Sequence, residues 1–269
     1  MKTRRVRGTA LVVTATALAL AAGCSSGGGA ANPPGAEKPD LNVAVVPALD
    51  SAGFFVALYG GLFKAQGLNV HFTPATSSET VIADQAKGIY DITGGNYVSY
   101  IQAQQQGEAN LYIFAEGSVM EPGSQGIYAM PDSKVTDLAG LKGKTVAINA
   151  PKNILYLLAA SVLAEHGLSP ESVKFVSNVP FPLMSGELKS GAVSAALLPE
   201  PFASGAEMGD GAVPLVDLDQ GATMSFPIAG YVVTKQWADQ TRTRWPRSTG
   251  RWKKASRSRT TAASRSRTR

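Results

Sequence analysis

Between Leu41 and Asp239 short apolar, β-rich runs alternate with helical segments, and the whole alternation occurs twice. The first pass reads "LNVAVVP" as strand, "GFFVALYGGLFKAQG" as helix, "LNVHFTP" as strand, "TSSETVIADQAKG" as helix, "YDITGG" as strand, "NYVSYIQAQQQG" as helix and "LYIFAE" as strand. The second pass follows the same order through "KTVAIN", "NILYLLAASVLAEHG", "VKFVSN", "PLMSGELKSG", "AVSAALLP", "EPFASGAEMG" and "AVPLVDL". Strands spaced by helices cannot pair through tight hairpins, so the pattern predicts parallel sheets covered by helices. Gly67, Gly88, Gly107, Gly167 and Gly191 fall where those helices would end in a left-handed residue. Thr76 and Glu79 have capping-box spacing, and Pro170 opens a short turn. The expectation is an α/β chain of two Rossmann-like lobes around a central cleft. Lobe 1 spans 41–118, lobe 2 spans 119–218, and 219–240 returns to lobe 1, with "GYVVTKQWAD" as the returning strand. The Gly-, Ser- and Pro-rich "GSVMEPGSQG" and "DQGATMSFPIAG" would be the two crossings between lobes.

Charge is unevenly distributed along this chain. Its formal net charge of +5 comes from 25 Lys and Arg against 20 Asp and Glu. Four of the basic residues lie in the first seven positions and eleven follow Gln240; the ten between are all lysine, so the body is acidic and lacks arginine. A nucleic-acid-binding domain would spread its cations over a folded face, which this body does not, and no nucleic acid is expected as a partner. Residues 241–269 read as a disordered basic tail. Shifting the reading frame of "TRTRWPRSTGRWKK" in plausible codons yields an amphipathic helical sequence, so the tail is expected to be a frameshift product and the chain destabilised by loss of its native end.

The other end carries an address. Lys2, Arg4, Arg5 and Arg7 precede an apolar run from Ala10 to Ala22 and then small residues before Cys24, which marks an export signal over 1–23 that is too short for a stable span. Cys24 is the only cysteine. An internal disulfide is therefore impossible, and "LAAGC" resembles the lipoprotein motif in which that cysteine is acylated. Residues 24–40 would be a flexible tether, placing the protein on the outer face of the cell membrane.

In open parallel sheets, ligands gather beyond the carboxyl ends of the strands, where loops and helix N-termini meet. Four such loops offer Asp50, Ser51 and Phe54; Gly94, Gly95, Asn96 and Tyr97; Asn149, Lys152 and Asn153; and Glu200 with Phe202. Asp50, Ser51, Phe54, Gly94, Gly95, Asn96, Lys152, Asn153 and Glu200 are the candidate ligand-binding residues. Each also has an ordinary structural reading. Asp50 and Ser51 can cap a helix, Phe54 and Phe202 can sit in a core, Gly94 and Gly95 can make a turn, and Lys152 can be solvated. The two histidines, His71 in a strand and His166 in a helix-ending turn, pair with no nucleophile, and neither a dinucleotide fingerprint nor a phosphate loop is present. No catalysis, cofactor or metal is expected.

Four segments, "ALYGGLFKAQGLNV", "DLAGLKGKTVAI", "LAASVLAEHGLSPESVKFV" and "ELKSGAVSAALLPEPF", together resemble the nitrate, sulfonate and taurine type of ABC-importer substrate-binding protein, a group with relatives that bind pyrimidine precursors of thiamine. The resemblance implies a type II periplasmic-binding-protein fold closing over a solute. It also implies a small organic solute or oxyanion as ligand, ABC permease and ATPase subunits as partners, and a monomer. With no arginine in the body, a bidentate guanidinium clamp on an anion is unavailable. Asp50 and Glu200 would repel an anion too, so an amine-bearing or heteroaromatic solute carries equal weight. An enzyme of cofactor biosynthesis on the same two-lobed fold is the alternative.

Overall fold

The computed structural model describes residues 40–240 and Trp252. Two five-stranded sheets form, one per lobe. In the first, β1 (Asp40–Val45), β2 (Asn69–Pro74) and β3 (Ile92–Asn96) are parallel, with α1 (Ala52–Tyr59), α2 (Leu62–Ala65) and α3 (Ser78–Ala86) in the connections. Helix α4 (Tyr97–Gln105) then leads to β4 (Leu111–Val119). The second lobe contains β5 (Gln125–Ala129), β6 (Thr145–Ala147), α5 (Ile154–Glu165), β7 (Lys174–Val176), α6 (Phe181–Lys189), β8 (Ala195–Pro199), α7 (Phe202–Asp210) and β9 (Val213–Asp217). The chain returns through β10 (Pro227–Thr234) and α8 (Lys235–Gln240).

The two sheets repeat one topology. Lobe 1 has the order β2-β1-β3-β10-β4 and lobe 2 the order β7-β6-β8-β5-β9. In each, three parallel strands are followed by a strand that has just crossed from the other lobe and runs antiparallel to both its neighbours: β10 between β3 and β4, and β5 between β8 and β9. Strand β10, within 219–240, thus pairs in the first sheet. The strand stops at Thr234, however, and Lys235–Gln240 is helical, its Trp237 indole nitrogen donating to Asp91 Oδ1 at 2.8 Å.

Local chemistry explains other departures. The single helix expected over "GFFVALYGGLFKAQG" is two, because Gly61 takes a φ of 70° at the N-cap of α2. Ser77, not Thr76, caps α3, its hydroxyl accepting from the Thr80 amide. Glu79 reaches across to the Ser99 hydroxyl of α4 instead of closing a capping box.

The largest core fills lobe 2 and continues through Val46, Ala48 and Ile228 on the lobe-1 side. Lobe 1 has its own aromatic core around Phe54, Phe63, Tyr231 and Trp252. Trp252 is helical and 1 % exposed, with ring centroids 4.5 Å from Phe63, 5.3 Å from Tyr231 and 5.7 Å from Phe54. At this residue the reading of 241–269 as a disordered tail is corrected: an indole packed among three rings is core, since its burial removes a large apolar area from water. The rest of that tail, the signal peptide, Cys24 and the tether up to 39 lie outside the described residues.

Trp252→Ala is expected to lower the unfolding free energy by about 3–5 kcal/mol, the usual cost of emptying a buried aromatic site. Urea denaturation of both proteins measures it; a solvated tail residue would change by less than about 0.5 kcal/mol.

Candidate functional site

A cavity of about 30 Å³ lies between the lobes, lined among others by Asp50, Ser78, Gly95, Asn96, Gln125, Asn149, Asn153 and Phe181. Its walls are strand ends and helix starts. From lobe 1, Asn96 ends β3 and caps α4, its Oδ1 accepting from the Ser99 amide at 2.8 Å. The Asn96 amide group and backbone N–H both donate to Ser78 Oγ at 3.0 Å, which ties the first turn of α3 to the end of β3. Gly95 is needed for this closeness, because a Cβ there would stand 2.9 Å from Ser78 Cβ. From lobe 2, Asn153 caps α5 by accepting from the Tyr156 amide, and its own amide donates to Asn149 Oδ1 at 2.7 Å.

The lobes touch around this cavity through polar backbone. Leu49 N–H donates to the Glu200 carbonyl at 2.8 Å, and Gln102 Nε2 donates to the Lys152 carbonyl at 2.8 Å. The crossings are stapled beside it by Met120 N–H to the Phe226 carbonyl at 2.8 Å and Gly123 N–H to Asp217 Oδ2 at 2.6 Å. About 30 Å³ has room for one or two waters.

Asp50 is the only charged residue among those lining the cavity. Burial pushes its carboxyl up to about 6, opposed only by hydrogen bonds from Ser51, whose hydroxyl lies 3.3 Å from Oδ1. Among the described residues no cation contributes to its shift. The neighbouring tyrosines respond to it: Tyr231 and Tyr100 are raised above the ordinary phenol range first by their own burial, with the Asp50 charge adding to the rise.

The nine candidates divide. Asp50, Gly95, Asn96 and Asn153 line the cavity, as does Asn149 from the same lobe-2 loop. Ser51 is buried behind Asp50 as its hydrogen-bond partner. Gly94 is packed under Tyr231, whose ring would lie 2.8 Å from a Cβ there. Phe54 is fully buried in the lobe-1 aromatic core and faces away from the cleft, because the first turn of α1 packs onto Phe63 and Phe72. Lys152 is exposed, with a φ of 51°, and contributes its carbonyl, not its ammonium, to the lobe contact. The Glu200 carboxylate turns onto the first turn of α7, accepting from the Ser204 amide at 3.2 Å and hydroxyl at 2.8 Å, so it serves as a helix cap. Tyr97 lines no part of the cavity, and Phe202 stacks behind the lining Phe181 at 5.3 Å.

Ser78, Gln125 and Phe181 were not among the candidates. Gln125 had a legible signal. An antiparallel strand presents its first residue at the edge where its parallel neighbours end, and Gln125 opens β5 opposite Pro199, the last residue of β8. The rule that looks only beyond strand carboxyl ends misses it.

Residues 34–268 match the NMT1-like family. The chain belongs to that family. Among solved structures, this NMT1-like chain is similar to the alkanesulfonate-binding protein SsuA from Xanthomonas axonopodis pv. citri bound to MOPS, with a TM-score of 0.68 and 18% identity, covering 81% of this chain and 73% of that one. It is similar to the periplasmic aliphatic sulphonate binding protein SsuA from Escherichia coli, with a TM-score of 0.64 and 17% identity over 84% of this chain and 76% of that one. The periplasmic nitrate-binding protein NrtA from Synechocystis PCC 6803 aligns with a TM-score of 0.66 and 16% identity over 82% and 61%. At these identities the likeness establishes the fold, that of the periplasmic binding proteins, as the repeated strand–helix pattern anticipated. No curated protein matches the sequence.

Because Asp50 binds a proton more tightly folded than unfolded, its contribution to stability falls as pH rises from about 4 to about 6, by about 3 kcal/mol in total. Asp50→Asn removes that cost. Its unfolding free energy is expected to exceed wild type by up to about 3 kcal/mol at pH 8 and to match it near pH 4, as urea melts at both pH values will show.

Proposed function

We propose that this NMT1-like protein is the extracytoplasmic solute-binding component of an ABC importer. It captures a small organic solute or oxyanion between its lobes and hands it to a permease with its ATPase subunits. The observation that carries this reading is the cavity between two lobes joined by two crossings and closed by a pair of breakable hydrogen bonds. A solute touching both walls stabilises the closed form, and the closed form is what a permease recognises. The fold shared with sulfonate- and nitrate-binding proteins supports the same reading. Acylation of Cys24 would hold the protein at the membrane, and a tether over 24–39 would leave the lobes free to meet the permease as a monomer, Asp40 belonging to β1.

A thermal-shift panel of taurine, alkyl sulfonates, nitrate, aminopyrimidines and simple amines on the leaderless chain tests this. A solute at about a thousand times its dissociation constant adds roughly 4 kcal/mol to stability. At least one class is expected to raise the melting temperature and to be recovered chemically unchanged. Conversion of the solute, or no shift in a cooperatively melting protein, overturns the proposal.

A further inference from the structure

The charge inventory of the cleft is one-sided. Among the lining residues Asp50 carries the only formal charge, and no Lys, Arg or His accompanies it. Ion pairs elsewhere in the described residues use Asp40, Asp84, Asp210 and Asp239, so Asp50 is spent on none of them. Facing the same cavity, Gln125 is only 6 % exposed, and its Oε1 is buried with no hydrogen-bond partner. A buried amide oxygen left unpaired costs on the order of 1–3 kcal/mol, and a carboxylate without a counter-charge costs more. Both costs disappear when a solute bearing N–H groups and a positive charge fills the cleft.

Helix N-termini would be the usual argument for an anion here, since α3, α4 and α5 all start at the cavity. Each is already capped from within. Ser77 Oγ takes the Thr80 amide, Asn96 Oδ1 takes the Ser99 amide, and Asn153 Oδ1 takes the Tyr156 amide. Each cap takes one of the several unbonded first-turn amides and sets a side-chain oxygen beside the rest, which lowers the attraction of these ends for an anion. The groups around Asp50 also favour positive charge. Ser51 donates to it, Tyr231 of β10 and Tyr100 of α4 lie close enough on lobe 1 to feel its charge, and across the cleft the Glu200 carbonyl holds the adjacent Leu49 amide.

We propose that the cleft prefers a small cationic nitrogen compound of the alkylammonium or guanidinium class over an oxyanion, with Asp50 as its counter-charge and Gln125 as its second polar contact. This assignment rests on the cleft being the solute site. Phe181, backed by Phe202, supplies an apolar wall for the body of such a solute, and closure of the lobes removes the ion pair from water, where it strengthens.

Isothermal titration calorimetry at constant ionic strength compares two matched pairs of probes: methylguanidinium with nitrate, and ethylammonium with ethanesulfonate. The cations are expected to bind the wild-type chain at pH 7.5 and the anions not. Because only ionised Asp50 attracts a cation, affinity should fall about tenfold between pH 7.5 and pH 5. Asp50→Asn should weaken cation binding at least about tenfold and abolish the pH dependence, while Gln125→Leu should weaken it and leave the pH dependence in place. Anions binding more tightly than their cationic partners, or cations binding Asp50→Asn as well as wild type, overturns the charge assignment and leaves the solute-binding reading standing. If neither pair binds and the wider solute panel also produces no thermal shift, the solute-binding reading itself fails. A panel shift with only anionic or neutral solutes overturns the assignment alone.

Discussion

Each sheet of this protein is completed by a strand delivered from the opposite lobe. The crossing strands β5 and β10 do not sit at sheet edges but take the fourth place of five, antiparallel between two neighbours. Removing either would open a sheet through its interior, so neither lobe is complete without the chain that has visited the other. The same insertion places Gln125, the first residue of β5, and Ile228, the second of β10, at the cavity beside the strand ends Pro199 and Asn96. A single topological device therefore joins the lobes, fills each sheet and furnishes the cleft.

The cleft that results holds an unpaid electrostatic debt. Asp50 is held against Ser51 in a site where its charged form is disfavoured, while Gln125 lies buried with an unused oxygen. Some other buried polar groups of lobe 1 are matched. Gln85, for instance, donates to the Asp91 and Val232 carbonyls and accepts from the Thr93 hydroxyl. The network of Gln85 and Thr93 at the start of β3 is satisfied, whereas at the cavity beyond the other end of β3 Gln125 keeps an unpaired oxygen.

The order of strands and helices was legible because period-two and period-3.6 patterns report local geometry, and glycines at helix ends report a backbone need that only they meet without strain. Four of the nine candidate site residues line the cavity for the same reason: strand ends and helix starts converge in any open parallel sheet. Glu200 and Lys152 were misjudged because a charged residue in a cleft loop has several local uses. One caps α7 and the other exposes its ammonium while lending its carbonyl to the lobe contact. Phe54 was misjudged because an aromatic at a helix start can face either side, and packing onto Phe63, Phe72 and Trp252 decided which.

The sequence by itself determined the α/β alternation, its doubling, the two crossings and the acidic, arginine-free body, because each is a matter of local propensity, periodicity or composition. Tertiary structure alone decided that Trp252 is core, that Gln125 pairs with Pro199 at the cavity end of the second sheet, and that Asp50 has no cation beside it among the residues lining the cavity. Those facts depend on which distant residues come to share a volume, and a carboxylate's cost is set by its neighbours in space, which the linear order of residues does not specify.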